Sequence, residues 1–392
     1  MRYIKAFQSF LIAIAVLFPF FAFANEIETT ARNAIVVDLT NDYSVLYEKQ
    51  ADELISPASM SKMMTAYVIF DLLTKGELSM DQIITVPKEA VDRGGIATGS
   101  SSMRLNVGQK VSVKDLIHGL LTASGNDAAI TLAMTVSGTE AKFAQLMTLK
   151  AKELGLQGYF ANASGWTDPG QKMSVRDLAI LTHRIIADFP QYFPLFSEKE
   201  FTFNGVTHQN RNWLVTNRDD VDGMKTGHTE DAGYCITITG VRNGRRMVVV
   251  VAGTKSMKER IDEASKLLDW GYANFEWNWF FTKGQTLGEV PIWGGKQASV
   301  DLKVQNDVRL FLSHDQAQNL TSFITYLRPV RAPVEENQPL GKVIVKEKNS
   351  DEIIASIPLL AANNVEELSR MQRLFFNFKY WRAQGKKEES KG

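Results

Sequence analysis

Three short motifs in a fixed order constrain this chain more than anything else in it: Ser59-Met60-Ser61-Lys62, then Ser124-Gly125-Asn126, then Lys225-Thr226-Gly227. The patterns S-x-x-K, S-x-N and K-T-G each occur once in the 392 residues. Singly they mean little. Ser59 and Ser61 read as helix caps and Lys62 as a solvated surface residue. Ser124 onward reads as a capping turn, and the third motif as a turn with a solvated lysine. Together, in this order, they carry a chemistry.

A serine hydroxyl is a weak nucleophile until a neighbouring base takes its proton. Residues i and i+3 of a helix share a face, so Lys62 is expected to bring its amine beside the Ser59 hydroxyl. A solvated lysine is protonated at neutral pH. It acts as a base only if burial or a second cation lowers its pKa, and Lys225 is the candidate for that cation. Ser59 at a helix start also meets backbone N–H groups and the positive dipole end, where an oxyanion would form. Ser124 is expected at a turn that Gly125 allows, placed to relay a proton to a leaving amine, with the Asn126 amide on a substrate amide. The third motif is expected just before a strand, with Lys225 and the Thr226 hydroxyl on a substrate carboxylate. A free strand edge after Gly227 would pair with an extended peptide, the main-chain N–H of His228 completing an oxyanion hole. An imidazole triad through His228 is weaker, because no G-x-S-x-G elbow surrounds any serine.

Alternating apolar residues predict a hairpin over 33–47 around Asn41-Asp42. Helical spacing runs over 59–73, with Pro57 leading in, and again over 113–123 and 139–154. Strands at 234–241 and 247–251 flank Asn243-Gly244, a strong hairpin turn. Helices clustered between the first and last strands predict an α/β (α+β) domain with an antiparallel sheet. Past Thr282-Lys283-Gly284 the alternation of Val300, Leu302 and Val304 predicts a small all-β domain. At the end, Leu368, Met371, Leu374, Phe375, Phe378 and Trp381 fall at helical spacing, with Arg370, Arg373, Lys379 and Arg382 at other positions. A basic amphipathic helix of this kind lies in a membrane interface or docks on its own domain; the density of aromatics favours the membrane.

The N-terminus adds a compartment. Arg2 and Lys5 precede the apolar run from Phe10 to Phe23, which ends in Ala22-Phe23-Ala24. These are the parts of a secretory signal peptide over 1–24. About fourteen apolar residues interrupted by Pro19 fall short of the ~20 needed to span a bilayer. The mature chain then has one cysteine, Cys235, in an apolar run that reads as buried, and no internal disulfide. Lys plus Arg and Asp plus Glu balance at 44 each, which leaves no basic field for nucleic acid. The five histidines sit in no metal-ligand spacing, so neither metal nor cofactor is expected.

The triplet resembles the signature of β-lactamases and penicillin-binding proteins. The wider segments, residues 57–65, 124–128 and 221–229 with Phe201-Thr202-Phe203-Asn204-Gly205 and Ala232-Gly233-Tyr234, look like the low-molecular-mass penicillin-binding D-alanyl-D-alanine carboxypeptidases of the S11 peptidase type. The resemblance implies a β-lactamase/transpeptidase-like serine acyl-transferase domain over 25–284, a β-sandwich-like domain over 285–362 and an amphipathic membrane helix with a charged tail over 363–392. It implies an acyl-enzyme on Ser59, Lys62 as proton acceptor, Ser124 in proton transfer, and Lys225 at the terminal carboxylate of a peptidoglycan stem peptide. By position, Arg260 resembles an arginine placed near that carboxylate. β-Lactams are the implied covalent inhibitors, and the periplasmic face of the inner membrane, with a part in cell-wall maturation and cell shape, is the implied setting. No Glu-x-x-Leu-Asn segment follows the second motif, which disfavours fast β-lactam hydrolysis. A D,D-endopeptidase on cross-links and a non-catalytic wall-peptide-binding protein remain the alternatives.

Overall fold

The computed structural model describes residues 27–40, 43–326, 328–348, 350–351 and 353–372. The expected signal peptide, the turn at Asn41-Asp42, and the amphipathic segment with its charged tail beyond Gln372 lie outside the described residues. Contacts divide the chain into one compact unit over Ile27–Gly271 and a second from Tyr272 onward.

The first unit is built on five antiparallel strands. β1 (Asn33–Asp38) pairs with β2 (Ser44–Lys49) as the hairpin pattern predicts. β3 (Val221–Thr229), β4 (Gly233–Arg242) and β5 (Arg245–Thr254) complete the order β2-β1-β5-β4-β3. The Asn243-Gly244 turn sits between β4 and β5, with φ positive at both residues. All six residues of β1 are buried, as a strand covered on both faces requires. Ile35, Val37, Val248 and Val250 join the helical core on one face. On the other, helix α6 (Met257–Asn274) brings Gly271 against Val36.

Most of the helical core comes from α1 (Lys62–Thr74), α2 (Val113–Leu121), α3 (Asn126–Ser137), α4 (Glu140–Glu153) and α5 (Val175–Asp188). α1 is buried almost all round, from Lys62 through Phe70, which marks a helix inside the core. Thr139 caps α4, and Ser174 with Asp177 forms a capping box on α5.

The second unit begins earlier than the composition change near Thr282-Lys283-Gly284. The reason is pairing. Strand β6 (Phe275–Phe281), which lies ahead of that change, hydrogen-bonds to β9 (Val308–Ser313) and so belongs to the β-rich second unit. β7 (Thr286–Trp293), β8 (Ser299–Val304), β10 (Leu320–Tyr326), β11 (Val330–Arg331), β12 (Pro339–Glu347) and β13 (Ile353–Ala361) form one sheet in the order β10-β12-β13-β8-β7-β11. Val300, Leu302 and Val304 point to its core, matching their alternation. Val365 closes that core and bridges to Val334. Among the described residues no helix is long and apolar enough to cross a membrane.

Candidate active site

The first motif does not begin on the α-helix. Ala58–Ser61 form a 3-10 turn with Pro57 ahead of it, and α1 starts only at Lys62. In a 3-10 turn residues i and i+3 eclipse, so the i+3 spacing serves better here than on an α-helix. Lys62 Nζ lies 2.9 Å from Ser59 Oγ. It also donates to Asn126 Oδ1 at 2.7 Å and to the Ser164 carbonyl at 2.5 Å. Lys62 has no solvent exposure. Burial lowers its pKa to about 7, against the opposing pull of the Asp127 and Glu140 carboxylates.

The second motif lies between α2 and α3. Ser124 itself carries the positive φ, 59°, while Gly125 does not, at −62°. Gly125 is needed for space: a Cβ there would stand 2.8 Å from Asp127 Oδ1. Strain on a non-glycine residue beside a reactive group is a mark of functional sites, and Ala58 next to Ser59 shares it at 48°. The buried Asp127 carboxylate accepts from Ser102 Oγ at 2.6 Å and from the Met103, Leu105 and Ala128 amides. It fixes the loop that walls one side of the site.

Lys225-Thr226-Gly227 lies within β3, not ahead of it. β3 is the edge of the sheet, so the free edge runs along the motif itself. Gly227 permits this approach, since a Cβ would come within 2.9 Å of the Pro57 carbonyl. Lys225 is 1% exposed. Burial pushes its amine well below the usual range, and the charges of Lys62, Arg211 and Arg260 add to that. Arg260, on α6, donates to the Gly227 carbonyl at 3.2 Å and stacks over Tyr234. His228 is exposed and stacks on the same ring, with centroids 3.9 Å apart.

A cavity of about 390 Å³ opens over these residues, lined among others by Ser59, Ser124, Asn126, Thr226, Trp166 and Arg211. Sequence reasoning missed the 161–166 loop and Arg211. The loop's contribution is a backbone carbonyl, which no side-chain motif announces. Glu140 accepts from the Ala163 amide at 3.0 Å and Thr65 donates to the Ala163 carbonyl at 2.7 Å, so the loop is held from both sides. Gly165 has φ 81°, and a Cβ there would fall 1.9 Å from the Ala58 carbonyl. Gly165→Ala is therefore expected to lose roughly 3 kcal/mol of stability or more in denaturant unfolding and to acylate poorly, because the loop and the 3-10 turn cannot both keep their places.

A serine hydroxyl on a buried amine of depressed pKa, beside an unpaired strand edge and a second buried amine, is equipped for acyl transfer to a peptide carbonyl. This fold and site define a peptidase of the penicillin-binding class. The sequence pattern described as D-alanyl-D-alanine carboxypeptidase matches residues 21–256, and that of the C-terminal domain of penicillin-binding protein 5 matches 275–367. The chain is 35% identical to the D-alanyl-D-alanine carboxypeptidase DacD of Salmonella typhimurium over 83% of its own length and 84% of the relative. It is similar in structure to penicillin-binding protein 5 of Haemophilus influenzae, with a TM-score of 0.68 and 33% identity over 88% of this chain and all of that one. Penicillin-binding protein D2 of Listeria monocytogenes, solved in its ampicillin-bound form, is 30% identical over 64% of this chain and all of its own, with a TM-score of 0.56. The chain belongs to the D-alanyl-D-alanine carboxypeptidase family.

Proposed function

We propose that this chain removes the terminal D-alanine from peptidoglycan pentapeptides through an acyl-enzyme on Ser59. The observation that carries the reading is the buried Lys62 amine, bound at once to Ser59 Oγ, Asn126 Oδ1 and the Ser164 carbonyl. A neutral amine keeps two N–H donors for Asn126 and Ser164 and turns its lone pair to the Ser59 hydroxyl. Ser59 Oγ then attacks the penultimate D-alanine carbonyl as its proton passes to Lys62. Ser124 relays that proton to the leaving amine, the C–N bond breaks and D-alanine departs. Water cleaves the ester and releases the tetrapeptide.

The substrate's terminal carboxylate pairs with Lys225 and the Thr226 hydroxyl, with Arg260 holding the Gly227 backbone beneath it. An anion there favours the charged form of Lys225 that burial suppresses, while Lys62 is held neutral by its own burial. The main-chain N–H of His228 and the start of the 3-10 turn serve the oxyanion. A β-lactam acylates the same serine, and the ampicillin-bound relative supports this.

Incubation with a pentapeptide and, separately, a cross-linked dimer tests the reading. Free D-alanine in equal amount to tetrapeptide is expected, with the dimer cut far more slowly. Comparable cleavage of the dimer would make the chain an endopeptidase, and unchanged pentapeptide would make it a binding protein.

The reading of residues 1–24 as a signal peptide and of the terminal segment as a basic amphipathic helix supports a location at the outer face of the inner membrane, with a part in wall maturation and cell shape. Val365 lies in the β core and the Leu368 amide bonds to the Gly294 carbonyl, so a cut before Asn364 would damage the second unit. A chain ending at Gln372 keeps these contacts. It is expected to lose most of its association with the membrane fraction on cell fractionation while retaining D-alanine release.

A further inference from the structure

We propose that the second unit carries a binding pocket for the phosphate of an anionic phospholipid headgroup, formed by Arg328, Arg331 and Trp293; this rests on the reading of the terminal segment as a membrane anchor. A cavity of about 430 Å³ is lined by these three residues and Pro329. Trp293 ends β7 and stands in register with Arg331 on the parallel strand β11. The Ala332 amide donates to the Trp293 carbonyl at 3.0 Å and fixes the pair. The Arg328 guanidinium lies 4.8 Å from the Tyr326 ring centroid, a stacking contact that holds it extended over the surface. Both arginines are exposed, and neither makes an ion pair among the described residues. Lys296, three residues past Trp293, is already paired with Glu366. Glu367 itself bridges to Gly295, two residues beyond Trp293.

The direction of the chain selects the occupant. The Leu368 amide bonds to the Gly294 carbonyl at 2.9 Å, one residue from Trp293. Beyond Gln372 the sequence supplies Arg373, Lys379 and Arg382 among Phe375, Phe376, Phe378, Tyr380 and Trp381. The pocket therefore lies where the chain departs toward its basic, aromatic end. An indole flanked by guanidinium groups suits a bilayer interface, the ring at headgroup depth and the charges on phosphate oxygens in bidentate fashion. The pocket adds a headgroup contact to the anchor and orients the unit on an anionic leaflet.

Flotation of the full mature chain with phosphatidylcholine vesicles, with and without phosphatidylglycerol, tests this. The double variant Arg328→Glu, Arg331→Glu is expected to lose at least tenfold in partitioning onto phosphatidylglycerol vesicles and to match wild type on phosphatidylcholine alone. Arg328→Gln with Arg331→Gln is expected to fall between them, with unfolding midpoints unchanged because both side chains are exposed. A chain ending at Gln372 should keep a weak, phosphatidylglycerol-dependent association that the double variant removes. Wild-type partitioning by the Glu double variant would overturn the pocket and leave the anchor standing. A truncated chain with no lipid selectivity would overturn it too.

Discussion

Ser59→Ala is expected to end covalent labelling by a fluorescent penicillin and to lower D-alanine release from a pentapeptide by at least ~10⁴-fold, with the fold intact. The size reflects the loss of the nucleophile itself. Without Oγ no ester forms, and only substrate positioning and oxyanion donors remain. Stability should change by no more than about 1 kcal/mol, since Lys62 keeps Asn126 and Ser164 as acceptors and a half-buried serine leaves almost no void. Ser124→Ala is the informative companion. It leaves the Lys62–Ser59 contact in place and removes only the proton relay, so slow labelling should persist. Equal labelling of the Ser59→Ala and wild-type proteins in gel fluorescence would remove Ser59 from the mechanism.

Much of this site is legible without the fold, for a definite reason. Ser59, Lys62, Ser124, Asn126 and Lys225 act through side chains, and their spacings survive as motifs. The groups that escape act through backbone. The Ser164 carbonyl that accepts from Lys62 looks like any turn residue in sequence, and Gly165 like any loop glycine. Glu140 reads as an ordinary first-turn acid on α4, yet its carboxylate holds the Ala163 amide across 23 residues of chain. The pattern misplaces the strand around Lys225 because Gly223 and Gly227 break the apolar run that signals a strand. Gly227 is there for close approach to Pro57, which only the fold reveals. The boundary of the second unit falls too late in the sequence reading for a related reason. The aromatic run of β6 continues the apolar character of α6, and pairing with β9, distant in sequence, decides its allegiance.

The acid limb of the kcat/KM profile should report Lys62. Acylation needs the neutral amine, whose pKa lies at about 7, so the rate should fall tenfold per pH unit below that value and level off above it. Lys62→Arg should lose at least ~10³-fold at every pH, because a guanidinium stays charged and cannot accept the proton. Glu140→Gln should preserve the bond from Ala163 and remove a charge that favours protonated Lys62. Its acid limb is therefore expected to move to lower pH. An unmoved limb in that variant would show that Lys62 does not set the profile. The same shift acts on stability. Unfolded, the amine titrates near 10.5, so between about 7 and 10.5 the unfolded chain binds the extra proton and stability gained through this group rises with pH. Below about 7 the penalty for charging the buried amine is fully present, roughly 4 to 5 kcal/mol for a shift of this size. Lys62→Met should flatten the rise, measured as the difference in denaturant midpoints between the two proteins across that window. A variant whose stability follows wild type at every pH would mean that the amine is not desolvated. If the slope vanishes and activity vanishes with it, the base is held neutral at the expense of the fold, and the three partners around Nζ (two acceptors, Asn126 Oδ1 and the Ser164 carbonyl, and the Ser59 hydroxyl) are what keep the site assembled despite it.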